Sequence, residues 1–175
     1  MIFAYKEVSN GSAILESVAS MDPRIVVIDL ALVVSSFHLQ LATYKALLNE
    51  SQDKMKTKSI QSEVLYQLST STKITDALQQ YSVHAGSTDI AFVYVAPANE
   101  TETDSALTAD DFKQLVEGLG VQGHQIDPEE ISTATILTPE KSAKIAKYFK
   151  ITPQELEVSG LEESVATRLA VKDSL

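Results

Sequence analysis

Apolar positions along the chain alternate between runs with the two-residue period of strands and runs with the three-to-four-residue period of helices. Residues 2–5 (IFAY) read as a short strand. Ser9 or Asn10 then caps a helix carrying Ala13, Ile14 and Val18. Residues 24–29 (RIVVID) follow Asp22-Pro23 and are mostly β-branched, so they read as a buried strand. From Leu32 onward Val34, Phe37, Leu41, Tyr44 and Leu48 recur at helical spacing, which predicts one long amphipathic helix with that face turned to the core. A second, shorter helix carries Ile60, Val64, Leu65 and Leu68. Hydroxyl residues 69–72 interrupt it, and Ile74, Ala77, Leu78 and Tyr81 form the next apolar face.

The run 90–95 (IAFVYV) is the strongest strand signal and is apolar on both faces, so it is expected in the middle of a sheet. Residues 98–105 are polar and acidic without periodicity and read as a loop. Thr108 and Asp111 make a capping-box pattern ahead of Phe112, Leu115, Val116 and Leu119, and Gly118, Gly120 and Gly123 end that helix. Residues 122–126 return to the sheet. Thr138-Pro139-Glu140 opens a helix leading to Ile145, Tyr148 and Phe149. Pro153 breaks the chain again, and Val158, Leu161, Val165 and Leu169 predict a last helix. Helices are interleaved with few, brief strands. The expected fold is therefore α+β: a small mixed or antiparallel sheet covered by helices, with a helical layer formed by residues 32–81 and one domain over residues 1–175.

Composition narrows the function. A chain of 175 residues with 44% apolar content suits one core, and the absence of Cys excludes disulfides, thiolate metal sites and cysteine nucleophiles. The first residues lack a signal-peptide pattern. The most apolar run, 25–34, is too short to span a bilayer and contains Asp29, so a soluble protein is expected. A net charge of −10 argues against a broad nucleic-acid surface, so any such contact must be local.

Searches for chemistry mostly return structural explanations. The Gly118, Gly120, Gly123 set follows a helix and lacks the Lys-Ser/Thr end of a phosphate loop, and no Gly-x-Ser-x-Gly elbow is present. His38, His84 and His124 have no second ligand at helical spacing. Asp110-Asp111 and Glu129-Glu130 sit near helix starts, where negative charge complements the helix dipole. No catalytic residue, metal or cofactor is expected. Lys141, Lys144, Lys147 and Lys150 step by three around one helix as a solvated face. Lys54, Lys56 and Lys58 lie within five residues and, by spacing alone, favour a solvated loop between two helices. Their neighbourhood adds a second reading. With the hydroxyl-rich helix start at Lys73, they would present cations, N–H groups and Ser/Thr oxygens to a phosphodiester.

The stretch KMKTKSIQSEVLYQLS, followed by KITDAL and the IAFVYV strand, resembles the TPRKB family, the small kinase-associated subunit of the KEOPS/EKC complex. Gly123-His124-Gln125 and the chain end with Arg168, Lys172, Asp173 and Leu175 are also similar, so the likeness runs from the first strand to the last residue. The resemblance implies a non-catalytic subunit in the nucleus and cytoplasm. It would bind and stimulate the PRPK-type kinase/ATPase subunit through that kinase's N-terminal lobe. It further implies service in threonylcarbamoyladenosine modification of tRNA and recruitment of tRNA by its 3′ CCA end. On that basis Lys54, Lys56, Lys58, Lys73 and Ile74 are the candidate tRNA contacts, while the kinase-binding residues stay unassigned. The alternative is a regulator of an atypical protein kinase that binds no nucleic acid.

Overall fold

The computed structural model describes residues 1–18, 22–96 and 107–172. Its sheet is antiparallel throughout and is built from β1 (Ile2–Lys6), β2 (Ile25–Asp29), β3 (Ile90–Tyr94) and β4 (His124–Ile126) in the order β2-β3-β1-β4. As its two-sided apolar pattern predicts, β3 lies between two strands, with Phe92 opposite Phe3 on one side and Val27 on the other. Successive side chains of a strand face opposite ways. Ile90, Phe92 and Tyr94 therefore join one core with Tyr5, Ile25, Val27, Ile14, Phe112 and Val116, while Ala91 and Val93 join another with Ala4, Val26 and Ile28.

The first core is covered by α1 (Gly11–Val18) and α5 (Ala109–Gly118), the latter started by the expected capping box of Thr108 and Asp111. The second core is larger. It lies under α2 (Ser36–Ser51), α3 (Ile60–Gln67), α4 (Ile74–Tyr81), α6 (Pro139–Tyr148) and α7 (Pro153–Val171). The α+β fold and the helical layer over 32–81 are as the sequence predicts. The outer edge of β2 is closed by that layer: Gln61 Nε2 on α3 donates to the Ile25 carbonyl at 2.9 Å, and Ser82 bridges to Ile28. The predicted loop over residues 98–105 lies outside the described residues.

Two expectations about buried faces, on α2 and α5, are corrected. Residues 30–32 form a short 3₁₀ turn, and α2 begins only at Ser36, capped by the Ser35 hydroxyl accepting from His38 N. Its inner face is His38, Leu39, Ala42 and Ala46, so Phe37, Tyr44 and Leu48 of the predicted core face are exposed and Leu41 is half-buried. The small Ala side chains let α3 pack close, which turns the larger apolar stripe outward. Val158 is 89% exposed, because the backbone turns at Gly160 (φ +70°), between Val158 and the buried Val165 and Leu169. Leu115 on α5 is likewise exposed, while Phe112 and Val116 are buried and Leu119 packs against them half-buried.

Candidate functional site

The loop between α2 and α3 is organised by what lies beneath it. Asp53 adopts a left-handed conformation (φ 54°) after α2, and Lys54 N donates to the Asn49 carbonyl at 2.8 Å, turning the chain back on itself. Exposure then alternates. Lys54, Lys56 and Lys58 face solvent while Met55 and Thr57 point inward, Met55 against the larger core. Lys54 Nζ reaches Gln52 Oε1 at 3.0 Å, and no described carboxylate pairs with Lys56 or Lys58. Ser59 then caps α3, its hydroxyl accepting from Ser62 N at 3.2 Å.

Below the loop, the Glu63 carboxylate is fully buried. Its Oε2 accepts from Lys56 N (2.9 Å), Thr57 N (3.0 Å) and the Thr57 hydroxyl (2.9 Å), and its Oε1 from Asn49 Nδ2 (3.0 Å) and Gln67 Nε2 (2.9 Å). Burial pushes the Glu63 carboxyl up, but the hydrogen bonds from Asn49, Gln67 and Thr57 outweigh it and hold the group below its ordinary range. Nothing in the local sequence marks Glu63. The available signal is that Glu63 and Gln67 fall at the helical spacing of the buried Ile60 and Val64, polar residues on an apolar face.

The other predicted site residues stand elsewhere. Lys73 and Ile74 begin α4, past the far end of α3, an eight-residue helix roughly 12 Å long. Lys73 is exposed and Ile74 half-buried. The hydroxyl run between α3 and α4 bonds mostly to itself and to the core: Ser71 Oγ accepts from Lys73 N (3.1 Å), Ser69 Oγ accepts from Ser71 N (2.9 Å) and meets Tyr148 OH at 2.6 Å. Lys73 itself, at the cap position, offers α4 no side-chain cap. The five candidates thus form a three-lysine loop and a separate Lys73-Ile74 corner. Beside α3, an apolar groove of about 300 Å³ is lined by Ile25, Leu65, Leu78 and Val83 with Gln61 and Ser62 among the polar residues, and none of the five candidates lines it.

His38 holds the second corner. It is fully buried, its Nε2 lies 3.1 Å from the Leu68 carbonyl, and Val34 N approaches Nδ1 at 3.5 Å. Burial lowers its pKa to about 4, against a smaller opposing effect of the Leu68 carbonyl, so the ring is neutral at pH 7. The ring packs edge-on against Tyr81 and Phe149 at centroid distances of 6.3 and 5.8 Å.

A Ser/His/Asp trio does occur, at Ser87, His84 and Asp29, but in an order that does not activate a nucleophile. The Ser87 hydroxyl donates to Asp29 Oδ2, His84 Nε2 lies 3.5 Å from the same oxygen, and Ser87 Oγ accepts from His84 N. The imidazole takes no proton from the hydroxyl, as a catalytic base must. Among the described residues no three His, Cys, Asp or Glu side chains are grouped to hold a metal, and no helix is long and apolar enough to cross a membrane.

The outward stripe of α2 is the other surface that sequence reading misplaced. Phe37, Leu41, Tyr44 and Leu48 follow a four-three-four spacing, the seam that one helix offers another. The last turns of α7 lie beside it, where Lys45 Nζ donates to the Leu169 carbonyl and Val171 is exposed. At its N-terminal end the stripe borders a cavity of about 420 Å³ between Phe37 and the Gly160 turn, and Ser35 Oγ donates to Glu162 at 2.6 Å nearby.

The chain belongs to the family described as kinase binding protein CGI-121, whose model matches residues 5–173. It is similar to the EKC/KEOPS complex subunit TPRKB of Danio rerio, at 31% identity over 169 residues, covering 97% of this chain and 88% of that protein. It is also similar to the EKC/KEOPS complex subunit cgi121 of Schizosaccharomyces pombe, at 29% identity over 171 residues, covering 95% and 91% of the two chains. The family resemblance read from the sequence is borne out.

Proposed function

We propose that this chain is a non-catalytic subunit of a KEOPS/EKC-type assembly that modifies tRNA with threonylcarbamoyladenosine. In this reading it binds and stimulates the kinase/ATPase subunit and helps recruit tRNA by its 3′ CCA end. The observation that carries the reading is the near full-length similarity to two EKC/KEOPS subunits, with a family description that names kinase binding. Two surfaces support the reading. The kinase docks on the α2 seam of Phe37, Leu41, Tyr44 and Leu48 with Val171 beside it, because apolar side chains at helical spacing on an open surface suit an amphipathic partner face. The RNA end lies against the loop of Lys54, Lys56 and Lys58, with Lys73 and Ile74 past the other end of α3. An extended single strand can bridge the length of α3.

Net charge −10 sets the strength of that contact: affinity of this subunit alone is weak and falls steeply with salt, the partners supplying most of the basic surface. The test is co-purification with the kinase subunit, then ATPase and tRNA modification with and without this chain. Stimulation of both is the expected outcome; a chain that shows no binding and no stimulation would defeat the reading. The same acidic charge favours a second reading, a kinase regulator that binds no nucleic acid. A gel shift with tRNA carrying or lacking its CCA end separates the two.

A further inference from the structure

We infer that Glu63 is the positioning residue of the basic loop: a buried carboxylate that never meets RNA but fixes the backbone from which Lys54, Lys56 and Lys58 project. This rests on reading those lysines as an RNA contact. Glu63 accepts five hydrogen bonds while fully buried, and three come from the loop itself, through Lys56 N, Thr57 N and the Thr57 hydroxyl. The other two, from Asn49 on α2 and Gln67 on α3, clamp the carboxylate between the helices that flank the loop. The Thr57 hydroxyl also reaches the Ser59 carbonyl at 3.0 Å, joining the loop to the start of α3. With Met55 and Thr57 held inward, the lysines between and beside them must face out on alternate residues. Three flexible cations on a disordered loop would have to be ordered on binding; three on a preset backbone do not carry that cost.

Charge and position make opposite predictions for one substitution. Glu63 places a negative charge beneath three lysines, so on Coulomb grounds alone Glu63→Gln would strengthen RNA binding. If the carboxylate acts by position, Glu63→Gln weakens it, because an amide keeps one acceptor oxygen of the two and its NH2 then opposes either the loop donors or the Asn49 and Gln67 amides. The expected result is a rise of about tenfold in the Kd for tRNA with an intact 3′ end, and about threefold for Thr57→Val, which removes the hydroxyl's bonds to Glu63 and the Ser59 carbonyl but leaves both backbone donors on the carboxylate. The salt dependence of Kd should become shallower in both, since fewer phosphates are neutralised, while kinase binding is unchanged. A merely structural role would lower kinase binding and leave the salt slope alone.

The experiment measures tRNA and kinase affinity for the full chain as wild type, Glu63→Gln, Thr57→Val and the triple charge reversal of Lys54, Lys56 and Lys58 to Glu. Should the triple variant bind tRNA normally, the RNA reading itself fails. Should it lose tRNA while both Glu63→Gln and Thr57→Val bind as well as wild type or tighter, the RNA reading stands and the positioning role is overturned. If Glu63→Gln does not fold, Thr57→Val decides between the same two outcomes.

Discussion

Truncating the outward stripe of α2 should separate binding from folding. Tyr44 is 63% exposed and so contributes little to the core. A tyrosine buries roughly 150–250 Å² when fully covered, so about 95–160 Å² of its surface remains available to a partner. At about 25 cal/mol per Å² that corresponds to about 2.4–4 kcal/mol of gross apolar burial. Ordering and desolvation at the interface offset part of it, leaving a loss of about 2 kcal/mol for Tyr44→Ala, or about thirtyfold in Kd. The folded chain should not notice: Ala suits a helix, and exposed substitutions of this kind stay within about 0.5 kcal/mol. Calorimetric titration with the kinase subunit, beside a thermal melt, reads both quantities. Leu115→Ala is the control, since Leu115 is a comparably exposed apolar residue on α5, over the opposite face of the sheet. A Tyr44→Ala protein that bound within about twofold of wild type would refute the docking assignment. So would an equal loss in the Leu115→Ala control.

Other expectations concern stability. His38 is neutral in the fold with a pKa of about 4, below its ordinary 6.5. The unfolded chain therefore takes up the proton first, and stability present above pH 6.5 is lost as pH falls toward 4, about 2 kcal/mol of it between pH 7.5 and 5. His38→Gln, with an amide that can still donate to the Leu68 carbonyl, should flatten that slope in urea titrations; an unaltered slope would show that another group titrates. Gly123→Ala would set a Cβ 2.9 Å from the Lys6 carbonyl and 2.9 Å from Val8 Cγ2, where β4 joins β1. It should cost about 1–3 kcal/mol, read as a lowered Tm, and an unchanged Tm would contradict the packing described. Gly160→Ala meets no atom within 4 Å but must hold φ +70° with ψ 173°, a conformation nearly confined to glycine, so a loss of about 1–3 kcal/mol is expected from denaturant midpoints.

Much of this architecture was legible in the sequence because periodicity reports which residues share a face. The strand at 90–95, the capping box at Thr108 and the helix start at Thr138 follow from local chemistry alone, whereas Pro153, read as a break, opens α7 behind the Thr152 cap. Periodicity does not report which face turns inward. Phe37, Tyr44 and Leu48 made the stronger stripe on α2, yet Ala42 and Ala46 on the weaker one permit the close approach of α3, and packing distance decided the matter. The same limit affected the candidate site. Three lysines close in sequence are close in space, but Lys73, drawn to them by its hydroxyl neighbours, lies at the other end of α3 because a helix intervenes. Glu63 was invisible for a different reason: a carboxylate on an amphipathic helix is ordinarily solvated, and only the convergence of Asn49, Lys56, Thr57 and Gln67 from separate segments makes burial tolerable.

The closed edge of β2 bears on how this chain can be recognised at all. An open strand invites any extended peptide to extend the sheet through backbone pairing, a mode that is strong but indifferent to most side chains. With Gln61 capping the Ile25 carbonyl and Ser82 paired to Ile28, a partner approaching the helical layer finds no such ladder and must read side chains instead. Selectivity for one partner is thereby favoured over adhesion to many, and loss of the Gln61 contact would tilt the molecule toward the less discriminating kind of association.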